Sequence, residues 1–454
     1  MDLSPCGSEN MYKAIIAPIR NVRKHMNADR LNVASVAGNQ VVVGLDIKEG
    51  ERGVFFPCDG ALSKEMLTNN NLYRKHPDTG VEMGGFFDNN GRVRAQLFRG
   101  EISDGFWSPI SCLAWTGIDV GKLQDGYTFT EIAGIGICEK YMTKATKAAS
   151  RAAGAANEKT RSKGQKLSNK FEKFKRHIDT KQLTDNLWRI NAGDVVHITE
   201  KVHGTSGRTG YIGCKRLPTF FERILGWLSK EHKISYHEFK YVSGSRKVII
   251  DPNTYDGGFY SGKRFRIDIH NSFKGIGLRH GETVFYEIVG FADDGSRIMP
   301  AHKVSDKKLK KRFGPIMVYK YGQHDASSYN VLVYRITNTD LEGNTFELPY
   351  LQMIARCKDL GLSPVPHLMS FVQTLDSGEG VLELAKELSE GVSTLDSEHI
   401  REGVCVRVES QYQTAVAIYK QKSFHFKVME GIAKDSDEYV DPEEVESFGE
   451  IEEE

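Results

Sequence analysis

The sequence predicts an α+β fold in two folded parts, on three observations. Short β-branched and aromatic runs recur at close spacing up to about residue 128, a basic alanine-rich stretch follows, and strand candidates mix with a few helices from about residue 177 onward. The 454 residues suffice for two to three domains and at least one large core. The first part reads as a small β-barrel. Its strand candidates are Tyr12–Ala17, Leu31–Val36, Gln40–Gly44 and Gly53–Phe56, parted by Asn-Ala-Asp, Gly-Asn and Glu-Gly turns.

Within this part, Arg92 and Arg94 would share one face of a strand and could grip phosphates, with solvated arginines as the alternative. From Glu139 to Arg176 there are twelve basic and three acidic residues and few apolar side chains larger than alanine, so an exposed helical or partly disordered linker is expected. Phe220–Leu228 has helical apolar spacing and reads as core or a capping helix. From Glu430 to Glu454 twelve residues are acidic and only Lys434 is basic, the composition of a disordered tail. The two charged blocks compensate, and net charge (+1) implies no polyanionic partner by itself. Seven scattered cysteines, none in Cys-x-x-Cys, indicate neither a disulfide framework nor a zinc site. No membrane span or signal peptide is readable, so a soluble intracellular protein is expected, cytoplasmic, nuclear or virus-encoded.

The stretch with the most chemical content is Ile198-Thr199-Glu200-Lys201-Val202-His203-Gly204-Thr205-Ser206-Gly207-Arg208. Its apolar lead-in reads as a strand ending at a loop of small residues, which leaves Lys201 at the strand end. An amine attacks only when neutral, so a lysine with a reference value of about 10.4 needs desolvation or neighbouring cations. Gly204 lets backbone approach a ligand, and Thr205, Ser206 and Arg208 offer donors suited to a triphosphate. Downstream, Arg246 follows a Gly-Ser break, and its planar fork suits a phosphate. Glu287 lies inside the apolar run Thr283–Gly290, where a carboxylate needs a partner, either an ion pair or a site. Tyr334 lies in the strand Val331–Ile336 as a core or a site residue. Glu402-Gly403-Val404 opens a further strand, and after Ala415–Tyr419 come Lys420 and Lys422, which a strand projects from one face. Such adjacent cations repel unless an anion sits between them.

Glu200-Lys201-x-His203-Gly204-Thr205 resembles motif I of the covalent nucleotidyltransferases, the superfamily of ATP-dependent ligases and capping enzymes, and its histidine resembles the RNA ligase branch. In the order that family requires, Ser245-Arg246 resembles motif Ia, Glu287-x-x-Gly290 motif III, Tyr334 in its strand motif IIIa, Glu402-Gly403-Val404 motif IV and Lys420-Gln421-Lys422 motif V. Lys24–Leu31 resembles the signature of OB-fold RNA-binding modules, with Met26 at the usual proline; ordinary turn chemistry with Asp29 as a cap is the alternative.

The resemblance implies an N-terminal OB-like β-barrel (1–128), a basic helical linker (129–180), a nucleotidyltransferase (adenylyltransferase) domain built on antiparallel sheets (181–430) and an acidic tail (431–454). It implies an ATP-dependent RNA ligase that joins 3′-hydroxyl and 5′-phosphate ends, with Mg2+ or Mn2+ as metal and nicked or broken RNA as partner, acting as a monomer in RNA repair. In the roles it implies, Lys201 takes AMP, Glu200 contacts adenine, Gly204 adjoins the nucleotide and His203 acts after enzyme adenylylation. Arg246 binds the substrate 5′-phosphate, Glu287 the nucleotide sugar and hydrated metal, and Tyr334 stacks on the base. Glu402 binds metal, and Lys420 and Lys422 contact the α-phosphate. About thirty residues follow Lys422, too few for the C-terminal OB domain of capping enzymes, while the 115-residue step from Glu287 to Glu402 exceeds a minimal domain. A GTP-using capping-type enzyme and a non-catalytic RNA-binding protein are the alternatives.

Overall fold

The computed structural model describes residues 12–154, 167–216, 218–223, 237–253, 255, 258–260, 262–325, 327–410, 416–442 and 445. In the N-terminal part a five-stranded antiparallel sheet has the order Ala95–Phe98, Glu101–Pro109, Arg52–Pro57, Ala14–Pro18, Thr128–Phe129. A three-stranded sheet of Arg20–Lys24, Leu31–Val36 and Asn39–Gly44 joins it through a shared core of Ile19, Val36, Val41, Phe55 and Trp107.

The expected barrel is corrected here: among the described residues no sheet closes on itself. The reason lies where Asn39–Gly44 meets Glu101–Pro109. Closure needs a backbone ladder, but side chains take its place, with Gln40 Nε2 donating to Ile102 O at 2.9 Å and Val42 N donating to Ser103 Oγ at 3.2 Å. In the loop Lys24–Leu31, buried His25 accepts from Asn27 N through Nδ1 (3.0 Å), so its Nε2 carries the proton donated to Phe98 O (2.8 Å). The side chain of Asn27 adds a bond to Arg99 O. These two residues brace the loop against the Arg99–Gly100 turn, where both residues have positive φ.

Arg92 and Arg94 precede the strand Ala95–Phe98 and do not form a phosphate-gripping face. Arg92 is buried against the C-terminal helix Phe424–Ala433, donating to Gly431 O (2.8 Å) and Asp435 (2.9 Å), and Arg94 pairs with Asp435 and Asp88. Past residue 128 the chain still contributes Phe129, Ile132, Ile137 and Cys138 to the N-terminal core. The helix Lys144–Gly154 then lies on the start of the acidic tail, with Lys144 paired to Asp437 at 2.8 Å and Ala145 N donating to Asp437 O at 3.0 Å. The tail as far as it is described is therefore ordered by cationic partners; linker residues 155–166 and tail residues 443–444 and 446–454 lie outside the described residues.

The second part has two large, mainly antiparallel sheets beside a two-stranded ladder of His302–Lys303 with Ile316–Met317. A five-stranded one runs Lys181–Gln182, Ala417–Lys422, Gly403–Glu409, Val195–Lys201, His367–Val372, with only the first pairing parallel. The helix Glu379–Ser389 packs on one face through Val381, Leu382 and Ala385 against Val196, Ile198, Val404 and Val406. The other sheet has seven strands, and its spine is Ile249–Ile250, His237–Gly244, Thr205–Lys215, Glu282–Gly290, Tyr329–Thr339, Thr345–Glu347. All nine residues of Glu282–Gly290 are buried because this strand has neighbours on both edges and the helices Phe265–Ser272 and Tyr350–Leu360 in its core. Phe220 and Phe221 are exposed rather than core, and Ile224–Leu228 lies outside the described residues. No described helix is long and apolar enough to cross a membrane.

Candidate active site

The chain passes from one sheet to the other at Val202–Gly204, so Lys201 ends its strand where the two sheets face each other. Side chains alternate along a strand, and Val196, Ile198 and Glu200 therefore turn to the side opposite Thr199 and Lys201. The register then pairs Lys201 with Gly403 and Gly403 with Lys422. The two lysines stand two strands apart, roughly 10 Å at the backbone, with no side chain on the residue between them. A Cβ on Gly403 would come within 2.7 Å of Lys422 Cα.

Glu402, next in the chain, occupies the space between the amines. Its Oε1 lies 2.7 Å from Lys201 Nζ and 3.9 Å from Lys422 Nζ, and its Oε2 lies 3.5 Å from His203 Nδ1. Burial pushes its carboxyl up, but Lys201, His203 and Lys422 outweigh that and hold it at about 2. The fold thus brings Lys201, His203, Glu402 and Lys422 together, with the Lys201 amine paired to a carboxylate.

Lys422 has a second partner. Burial opposes its charge, yet Glu430 (2.8 Å) and then Glu402 hold it well above the usual lysine range. Glu430 also binds Lys434 at 3.2 Å, and Lys434 reaches Asp59 of the N-terminal part at 3.4 Å and Asp441 at 3.8 Å. A buried chain of alternating charge thus runs from the Lys422 ammonium to the other module. Nothing in the local sequence marks Asp59, and the four-residue spacing of Glu430 and Lys434 at the end of a helix is the one hint that these two pair.

One pocket takes its walls from both sheets: Lys201, Cys405 and Lys420 from one, Ser206, Glu287 and Tyr334 from the other. Glu287 stands opposite Ser206 in the ladder and accepts from Ser206 Oγ at 3.1 Å. The Tyr334 hydroxyl is 3.3 Å from His177 Nδ1, with the rings edge to face at 5.5 Å. Arg246 borders the same space and pairs with Asp179. Sequence reasoning missed His177, which burial and then Arg246 and Arg335 pull down to about 3, so it is neutral at pH 7. It also missed Tyr350 and Met353, which line the pocket from their helix; their three-residue spacing was the available signal.

Other expected residues have different surroundings. The Glu200 carboxylate is wholly buried on the far side of the strand and accepts from Thr394 N (2.9 Å) and Thr394 Oγ1 (2.8 Å). Gly204 makes room for protein rather than ligand: a Cβ would meet Glu287 Cγ and Val289 Cγ1 at 2.8 Å. Arg208 is buried and supports the Arg246 loop, donating to Arg246 O (2.9 Å) and Lys247 O (3.1 Å), instead of facing a triphosphate. Thr205 Oγ1 accepts from Arg266 at 2.7 Å. His203 is caged by Tyr319, Phe426 and His302, its Nε2 3.2 Å from His302 Nε2.

The fold, two sheets that face each other with a strand-end lysine where the chain passes between them, is similar to that of solved RNA ligase structures. Among the solved structures it matches are several of Naegleria gruberi RNA ligase. A lysine-to-alanine mutant with ATP and Mn aligns at 15% identity with TM-score 0.54, covering 91% of this chain and 98% of that one. An apo aspartate-to-alanine mutant aligns at 15% identity with TM-score 0.55, covering 94% and 99%, and a lysine-to-methionine mutant with AMP and Mn at 14% with TM-score 0.55, covering 91% and 97%. No family model and no curated protein sequence matches the chain.

A divalent cation finds part of its donor set here. Among the described residues no cluster of three His, Cys, Asp or Glu side chains could hold a metal alone. Glu402 Oε2, however, is buried without a hydrogen-bond partner among the described residues, an acceptor suited to a cation or its water. A hard cation such as Mg2+ binds through one or two carboxylates and completes its shell with water and phosphate oxygens, so Glu402 and Glu287 fit one bound together with a nucleotide.

Proposed function

We propose that this chain is an ATP-dependent RNA ligase that joins 3′-hydroxyl and 5′-phosphate RNA ends through lysyl-AMP and adenylated RNA, in RNA repair. One observation carries the reading: in an RNA ligase-type fold, a strand-end lysine shares a buried carboxylate with a second lysine beside a pocket lined from both sheets.

Lys201 Nζ, released from its pair with Glu402 and with its ammonium proton lost to solvent, attacks the α-phosphorus of ATP; an N–P bond forms as the bond to pyrophosphate breaks. A divalent cation, when bound at Glu402 and Glu287, supplies neutralisation of phosphate oxygens and competes with Lys201 for the carboxylate. Lys420, on the pocket wall, faces the α-phosphate, and Lys422 strengthens the positive field from behind Glu402. Tyr334 and the neutral His177 flank the base. AMP then passes to an RNA 5′-phosphate that takes the place of Asp179 on Arg246, and a 3′-hydroxyl displaces AMP. The N-terminal module serves as the RNA-binding part of a monomer acting inside the cell, and the division 1–128, 129–180, 181–430 and 431–454 belongs to this reading.

Incubation of the purified chain with labelled ATP or GTP tests it. The expected product is a protein-bound AMP stable to alkali, labile to acid and absent in Lys201→Ala, with sealing of nicked 5′-phosphorylated RNA. Labelling by GTP alone would point to a capping-type enzyme, and RNA binding without any label to a non-catalytic protein.

A further inference from the structure

The segment Lys303–Phe313 lies in the long step between Glu287 and Glu402 and takes no part in the pocket. Its helix, Lys307–Phe313, reads Lys-Lys-Leu-Lys-Lys-Arg-Phe. Lys303, Lys307, Lys308, Lys310, Lys311 and Arg312 are all exposed, and none has an ion-pair partner among the described residues. The contrast with the interior is sharp: Lys201, Lys422, Lys427 and Lys434 each sit against a carboxylate. The one acidic residue in the segment, Asp306, is committed to the helix start, where it accepts from Lys308 N and Leu309 N at 2.9 Å. Lysines three and four apart repel on a helix, so the segment tolerates a local cost and keeps a concentrated positive field.

The field is fixed in place and close to the site. Leu309 and Phe313 turn inward onto the core that holds Tyr319, Phe426 and Met429, the first two of which cage His203. His302, next to Lys303, lies 3.2 Å from His203, itself 3.5 Å from Glu402. Five lysines and an arginine over so short a stretch exceed what a single phosphate needs and suit a polymer carrying a charge every few ångströms. With both apolar side chains of the helix turned inward, it offers none for insertion into lipid.

We propose that the exposed cationic face of Lys303–Arg312 holds the phosphate backbone of the RNA outside the nucleotide pocket, delivering its end to Lys201. This rests on the ligase reading for the nature of the polymer. The test is a full-length variant carrying Lys307→Gln, Lys308→Gln, Lys310→Gln and Lys311→Gln, with Arg312→Ala as a second, milder variant. Binding of a nicked 5′-phosphorylated RNA duplex is measured over a salt series, together with AMP uptake from ATP. Expected are wild-type AMP uptake, a rise in Kd of about tenfold or more at low salt and a salt slope shallower by about two to three, near 0.9 for each phosphate no longer neutralised. Unchanged Kd and slope beside normal AMP uptake would overturn the proposal and leave the ligase reading standing. Loss of binding to vesicles of anionic phospholipid with RNA binding intact would also overturn it. If the wild type takes up no AMP, the ligase reading fails, while the duplex titration still decides the surface.

Discussion

Replacing Glu402 by Gln keeps the shape of the side chain and removes the charge between Lys201 and Lys422. The carboxyl moves from the ordinary 4.5 to about 2 in the folded chain. At about 1.4 kcal/mol per factor of ten, that difference makes its ionised form worth about 3 kcal/mol of stability, after the cost of burial. Because the folded value is depressed, this contribution is complete above the unfolded value and is lost as pH falls through the window from about 4.5 to about 2. Glu402→Gln should therefore be about 3 kcal/mol less stable than wild type at pH 7, and the gap should narrow to about 1.5 kcal/mol at pH 3. Urea unfolding of both proteins across this range measures it. The fold should survive at pH 7 because Lys422 keeps Glu430 at 2.8 Å. A variant as stable as wild type at pH 7, or a gap that stays constant down to pH 3, would refute the reasoning. In the proposed reaction AMP uptake should be lost, since both the attacking amine and the bound cation would depend on this one residue.

Three other changes follow from the same geometry. Glu430→Gln leaves Lys422 and Lys434 buried with one close anion fewer, and should destabilise by roughly 3 kcal/mol, read as a lower urea midpoint. Gly403→Ala drives a Cβ to 2.7 Å from Lys422 Cα and should cost about 1–3 kcal/mol and most AMP uptake, whereas an alanine at the exposed helical Gly380, whose Cβ meets nothing within 4 Å, should leave AMP uptake near wild type. Arg92→Ala removes the bonds to Gly431 O and Asp435, and amide hydrogen exchange in Phe424–Ala433 should accelerate.

Much of the site was legible because its chemistry follows a local period. Lys420 and Lys422 share a face in any strand, and Lys201 ends a run whose residues must be extended. The same parity applied to Glu200 would have turned it away from Lys201, as the structure does with Thr394 as its partner. Arg208 misled for a different reason: its guanidinium read as ligand-binding, yet it is buried, and both terminal nitrogens donate to the carbonyls of Arg246 and Lys247. The N-terminal strands were readable from their residues, but closure depends on whether two distant edges meet by backbone or by side chain.

By itself the sequence determined the order of the chemical groups and which of them share a face, since both depend on neighbours two or a few positions away. Tertiary structure alone decided which charges meet. Glu402 between two lysines, Glu430 behind Lys422 and Arg92 on Asp435 are pairings across sheet register and between modules, where burial strips away water and makes each of these cations depend on a carboxylate supplied by the fold.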